Sequence, residues 1–326
     1  MLMNRDQVIA KIQSGAKLSL AGDESLLAGL PKGDWIGGSI PYFMDEAGGV
    51  NTRERIFVQE FKDGVTDVDI RCYGAAELKN IPRDSPDCGF SLVIIPAMSP
   101  AHIQYAQEAP DYDGLFLKQI VGWIAGVDVA DIGKVMPKVF DGRTGTSSTD
   151  QIVVMHVSFI EGLAARIGII NLFKQGAGDT IEFQADGFQV ENCMVNGQLQ
   201  NFAEYLTSKA IDTRLPLVAD YNGEMINVSF QKVDATAGTV DLFAPVFRHV
   251  RYRIAAPVAD YAKEFREKAL SGNMQPIFTC NCILNYLYGE LEGKQTGTFH
   301  GPITFGEVAY QLVNQTLVYL VVDDLR

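Results

Sequence analysis

The side chains best suited to chemistry stand in a few places. Cys280 and Cys282 are two residues apart, so on a strand both thiols face the same side. Such a pair suits metal ligation or redox exchange. With a base such as His300 within reach, one thiol would serve as a nucleophile. The alternative is two small buried side chains. The segment Phe247-Arg248-His249-Val250-Arg251-Tyr252-Arg253 gathers three arginines and a histidine. On a strand, His249, Arg251 and Arg253 share one face, with Arg248 and Tyr252 on the other. That cationic face suits a carboxylate, unless nearby acids balance it as a solvated surface. Glu307 stands in an otherwise apolar segment. If buried it needs a partner, either a ligand or backbone N–H groups; the remaining option is an exposed strand end. Asn281, Asn285 and Asn314 supply amide donors and acceptors for a small polar molecule. Trp35, Tyr42 and Phe305 would wall a pocket or pack into a core. His102, after Ser99-Pro100, reads as a helix-start residue, and His156, within Val154–Phe159, as a hydrogen-bonded core histidine.

Several classes of activity drop out. The phosphate-loop, dinucleotide, nucleophile-elbow and zinc-helix motifs are absent. Asp141–Asp150 is rich in Gly, Ser and Thr but has no lysine to hold a phosphate. Lys plus Arg is 27 and Asp plus Glu is 40, so the formal net charge is 27 − 40 = −13. Such an acidic chain is poorly suited to a nucleic-acid backbone or an anionic lipid surface. No apolar run approaches the roughly 18 residues that span a bilayer. The longest are interrupted, by Asp128 in 120–129 and Arg166 in 159–173. The five cysteines, at 72, 88, 193, 280 and 282, form no disulfide framework. With no apolar stretch near Met1, a cytoplasmic location with reduced thiols is expected.

The elements that must position these residues follow from the apolar patterning. Helices are expected at 5–13, 100–109, 161–173, 199–209 and 258–270. Strands are expected at 17–20, 55–61, 67–73, 90–95, 152–159, 179–183, 187–193, 215–220, 225–233, 239–246, 248–254, 275–280 and 315–322. Val195-Asn196-Gly197 reads as a turn and Asp141–Asp150 as a linker. The fold class is α+β: mixed, largely antiparallel sheets with flanking helices. An internal echo suggests two related halves. Helix, Ser14-Gly15, strand, apolar segment, Gly37-Gly38-Ser39-Ile40-Pro41-Tyr42-Phe43 and strand recur as helix, Ser271-Gly272, strand, apolar segment, His300-Gly301-Pro302-Ile303-Thr304-Phe305-Gly306 and strand.

The chain resembles the FIST family, with a FIST-like N-terminal half over 1–150, a connecting segment over 151–186 and a C-terminal half over 187–326. The resemblance rests on several segments in order. Val195-Asn196-Gly197 leads into a helix with Tyr205, and Leu215-Pro216-Leu217-Val218 precedes a strand pair. Phe278-Thr279-Cys280, Gly301–Glu307 and Asn314-Gln315-Thr316 follow, with Trp35–Pro41 as the N-terminal counterpart. The family's arginine after the strand ending in Ser-Cys is absent; Asn281-Cys282-Ile283-Leu284-Asn285 stands there. The resemblance implies a stand-alone sensory protein without catalysis, binding a small molecule and acting through a separate signalling protein. Its ligand would lie between the halves, against Trp35, Gly37, Gly38, Ser39, Tyr42, Cys280, Asn281, Asn285, Gly301, Thr304 and Glu307. Some family members bind haem as nitric-oxide sensors. This suggests haem as an alternative cofactor, with His249 and His300 as ligands and the arginine face on a propionate. A cysteine-dependent enzyme is the third reading.

Overall fold

Helix Arg5–Gln13 begins at a capping box: Asn4 Oδ1 accepts from the Gln7 N–H (2.9 Å) and the Asn4 N–H donates to Gln7 Oε1 (3.0 Å). It ends at Ser14-Gly15, where Gly15 takes a φ of 80°. Its buried face, Val8 and Ile12, packs on Leu18, Leu20, Trp35 and Val58. Each buried aliphatic side chain contributes roughly 1.5–3 kcal/mol. The computed structural model describes residues 1–221, 224–272 and 275–326. The chain is α+β, with mixed and largely antiparallel sheets and flanking helices. Among the described residues no helix is long and apolar enough to cross a membrane.

The chain forms two compact units. The larger comprises Met1–Ile170, Ala262–Leu312 and Leu317–Arg326; the smaller comprises Asn171–Tyr261 with Val313–Thr316. The stretch from 262 onward, grouped by sequence with 187–261, thus belongs mostly with residues 1–170.

Inside the larger unit one arrangement occurs three times. Strand Leu18–Gly22 runs parallel to Trp35–Ser39 and antiparallel to Ile56–Glu60. Strand Gly89–Pro96 runs parallel to Ile120–Ala125 and antiparallel to Ile152–Phe159. Strand Phe278–Cys282 runs parallel to Gly301–Thr304 and antiparallel to Thr316–Asp324. A helix links each parallel pair: Glu24–Leu27, Pro100–Glu108 and Ile283–Tyr288. A lead strand (Leu2–Met3, Val65–Tyr73 or Leu163–Asn171) lies beside the last strand of its own copy. The hairpins are exchanged. That of the first copy, Tyr42–Asp45 with Gly48–Asn51, extends the third sheet; the second copy's, Val139–Asp141 with Thr146–Ser148, extends the first. The third copy's, Glu307–Ala309 with Gln311–Val313, extends the second. The two stretches that echo in sequence are the first and third of these copies. The smaller unit is mostly an insertion in the third copy, between its lead strand and helix Tyr261–Gly272.

The smaller unit holds an antiparallel sheet in the order Gln198–Asn201, Asn192–Val195, Ile181–Glu182, Arg251–Ile254, Leu217–Tyr221, Glu224–Val228. A second sheet of Gly187–Val190, Thr239–Val246 and Phe230–Asp234 completes it. Phe183, Phe202 and Tyr252 fill its core, with ring centroids 5.3 and 5.6 Å apart.

Several expectations change. Residues 161–173 form strand Leu163–Asn171, not a helix. Ile167, Ile169 and Ile170 favour extended backbone, and Gly168 lies under Tyr319, whose ring atoms would sit 2.1 Å from an added Cβ. Asp141–Asp150 is a hairpin rather than a linker. Asp141 Oδ1 accepts from the N–H groups of Arg143 (2.8 Å) and Thr144 (3.2 Å) and closes the turn. The helix expected from 199 covers Phe202–Ser208, because Gln198–Asn201 first pairs in a hairpin. The strand expected at 225–233 breaks at Ser229.

Candidate functional site

The three segments expected to line a pocket meet inside the larger unit. Gly301 and Pro302 pair with Met44 and Phe43, the rings of Tyr42 and Tyr286 lie 5.6 Å apart, and Cys282 pairs with Thr304. Ser39 Oγ donates to Gly126 O (2.8 Å), and Glu307 lies opposite Trp123. What they build is densely packed. Trp35, Ser39, Tyr42, Cys280, Asn281, Asn285, Thr304 and Glu307 are each no more than 5% exposed. A Cβ on Gly38 would stand 2.6 Å from the Trp123 ring and 2.7 Å from Ile94. On Gly301 it would stand 2.0 Å from Thr279 O, and on Gly37 3.2 Å from Leu20 O. These glycines admit neighbouring protein atoms, as close-packed strands require.

Strand Phe278–Cys282 also divides the set. Cys280 Sγ donates to Gly122 O (3.3 Å) of the second copy's sheet. Alternation sends Asn281 to the other face, where Asn285 Nδ2 donates to Asn281 Oδ1 (2.9 Å). Burial, followed by the charge of Glu307, raises the Cys280 thiol well above its ordinary pKa. Cys280 is thus held protonated, which is unsuited to nucleophilic attack. Asn314 belongs to a structural network in the smaller unit: its Oδ1 accepts from the Ser229 N–H (3.2 Å) and its O from Asn227 Nδ2 (3.2 Å). The His300 carbonyl accepts from Thr279 Oγ1 (2.6 Å). His249 lies in a turn with φ 65° before strand Arg251–Ile254, so it does not share the arginine face. Arg248, beside it, pairs with Asp186.

A second constellation went unnoticed in the sequence because register alone assembles it. His156 Nδ1 is 2.8 Å from Ser91 Oγ and its Nε2 is 2.8 Å from the Tyr73 hydroxyl, which donates to Asp84 Oδ2 (3.1 Å). Ser91 Oγ is 2.7 Å from Ser85 Oγ, which donates to Ile81 O (2.7 Å). The chain looks like a nucleophile–base relay, but Ser91 is wholly buried and closed to substrate. It ties strands Val65–Tyr73, Gly89–Pro96 and Ile152–Phe159 to helix Ile81–Asp84 and leaves His156 the core histidine expected from sequence.

An open cleft of about 310 Å³ lies in the smaller unit, lined by Gln175, Thr180, Glu182, Asn196, Gly197, Arg251 and Arg253. Arg251 and Arg253 alternate on one strand, so both head for the cleft at a spacing of about 6.7 Å along the chain, while Tyr252 is buried in the core. Asn196 (φ 49°) and Gly197 (φ 81°) make the tight hairpin turn that Asn-Gly favours. The turn is fastened by Asn196 Oδ1 accepting from the Thr180 N–H (3.0 Å). Gln175 Nε2 donates to Val218 O (2.9 Å), leaving its carbonyl oxygen for other partners. Glu182 Oε1 lies 3.7 Å from Arg251 Nε. No ion pair of the described residues involves Arg253. Sequence reasoning found the two arginines; the rest of the lining comes from strands and turns whose pairing it did not resolve.

The sequence matches the family model DUF6976, a family of unknown function, over residues 3–323, and the chain belongs to that family. No curated protein matches the sequence.

Proposed function

We propose that this protein is a cytoplasmic small-molecule-binding protein without catalysis, and that its ligand carries a carboxylate seated in the cleft of the smaller unit. The observation that carries the reading is Arg253, a guanidinium directed into that cleft with no ion-pair partner among the described residues. A planar guanidinium matches a carboxylate with two parallel hydrogen bonds. The Gln175 carbonyl and the Thr180 hydroxyl provide for neighbouring polar groups on the ligand. The sensory role is the one implied by the FIST resemblance: a separate signalling protein would read the liganded state, through whatever difference binding makes between two states of this chain.

The test is calorimetric titration of the full chain with acetate, butyrate and benzoate, beside Arg253→Ala. At a solvent-open cleft the loss of the guanidinium is expected to cost about as much as one charge-assisted hydrogen bond, about 1.5–3 kcal/mol. The variant is therefore expected to bind the best of these roughly 10- to 100-fold more weakly. Equal affinity in the variant, or no binding by the wild type, would remove the reading.

A further inference from the structure

Resting on the cleft as the binding site, we propose that Glu182 is a specificity-determining residue that admits a monocarboxylate and rejects a dicarboxylate. The charges lining the cleft are Arg251, Arg253 and Glu182. Two cations and one anion leave a single positive charge to be matched by a ligand. The pairing is unequal: Glu182 stands 3.7 Å from Arg251, whereas Arg253 takes part in no ion pair of the described residues. One carboxylate on Arg253 leaves the Arg251–Glu182 pair intact and every charge in the cleft balanced. A second carboxylate of the same molecule, reaching Arg251 about 6.7 Å further along the strand, must displace Glu182 or share Arg251 with it. Either outcome sets two carboxylates side by side, and like charges brought together are a common source of discrimination between ligands. The backbone of Glu182 is held at the cleft by its two neighbouring strands, pairing with Arg251 across one strand border and with Met194 across the other.

The test compares two probes of equal length, glutarate and its monomethyl ester, by calorimetry on the full chain. The wild type is expected to bind the monoester at least about tenfold more tightly than glutarate. Glu182→Gln should bring the two affinities within about threefold, and Arg251→Gln, which leaves Glu182 without its cation, should widen the gap. Circular dichroism checks that each variant is folded, and the two variants move the ratio in opposite directions. Equal or tighter binding of glutarate by the wild type overturns the charge filter while leaving the cleft reading in place. So does an unchanged ratio in both variants. Binding of neither probe overturns the cleft reading and the filter with it.

Discussion

His102 and His156 are buried as neutral rings, and loss of hydration lowers both to a pKa of about 4. In the unfolded chain they titrate near 6.5. The unfolded state therefore binds more protons between those two values. Their contribution to stability is fully present above pH 6.5, falls as the pH drops, and is gone below about 4. Linkage puts the loss between pH 7 and pH 5 at roughly 2 kcal/mol for each ring. Urea melts should show that fall, and His156→Gln should show about half the histidine part of it. A pH-independent midpoint over this range contradicts the neutral assignment. Gly38→Ala tests the packing where the sequence suggested a ligand. Its Cβ would meet Trp123 and Ile94 at 2.6 and 2.7 Å, and overpacking of this kind costs typically 1–3 kcal/mol. A neutral effect in thermal melts would mean that this place has room after all. Residue chemistry was legible at Arg251 and Arg253, whose alternation directs both to one face. It was not legible at Glu182 or Gln175, whose places depend on strands arriving from elsewhere in the chain.

At the scale of elements, patterning served where one face is buried and caps are explicit. Helix Arg5–Gln13 and strands Ile152–Phe159 and Thr239–Val246 lie where their apolar spacing put them. It failed at Leu163–Asn171. There the apolar residues fit a helical period, and the choice fell to the sheet partner and to the Gly168–Tyr319 contact. It also failed where polar side chains cut a strand: Ser229 Oγ lies 2.8 Å from Asn314 Oδ1 and 2.6 Å from Gln315 Oε1, which ends the pairing begun at Glu224–Val228. The turn Asn196-Gly197 was correctly read, and it makes its own prediction. Gly197 holds a φ of 81°, so Gly197→Ala places a side chain in the left-handed region at a cost of about 1 kcal/mol. Chemical denaturation measures this directly. An unchanged midpoint would show that the hairpin does not need that conformation.

At the scale of the whole molecule, only part of the repetition was visible. The echo between the beginning and end of the chain marked two copies. The middle one, from Val65–Tyr73 to Ile152–Phe159, lacks the Ser-Gly step ahead of its central strand and kept its pattern only in strand order. The insertion of Asn171–Tyr261 then hid the spacing of the third. Because each copy completes its neighbour's sheet with a hairpin, the three sheets form a closed exchange. They should lose protection together. In Gly38→Ala, amide exchange should quicken in Gly89–Pro96 and Phe278–Cys282 as well as in Leu18–Gly22. Faster exchange confined to the first copy would contradict that coupling. The proposed ligand site lies in the inserted unit, at the cleft lined by Arg251 and Arg253, and its most direct test is a titration of butyrate into wild-type protein and Arg253→Ala followed by calorimetry. Saturable one-site heat in the wild type, weakened at least about tenfold in the variant, is the expected result. Identical isotherms for the two proteins would place recognition somewhere other than Arg253.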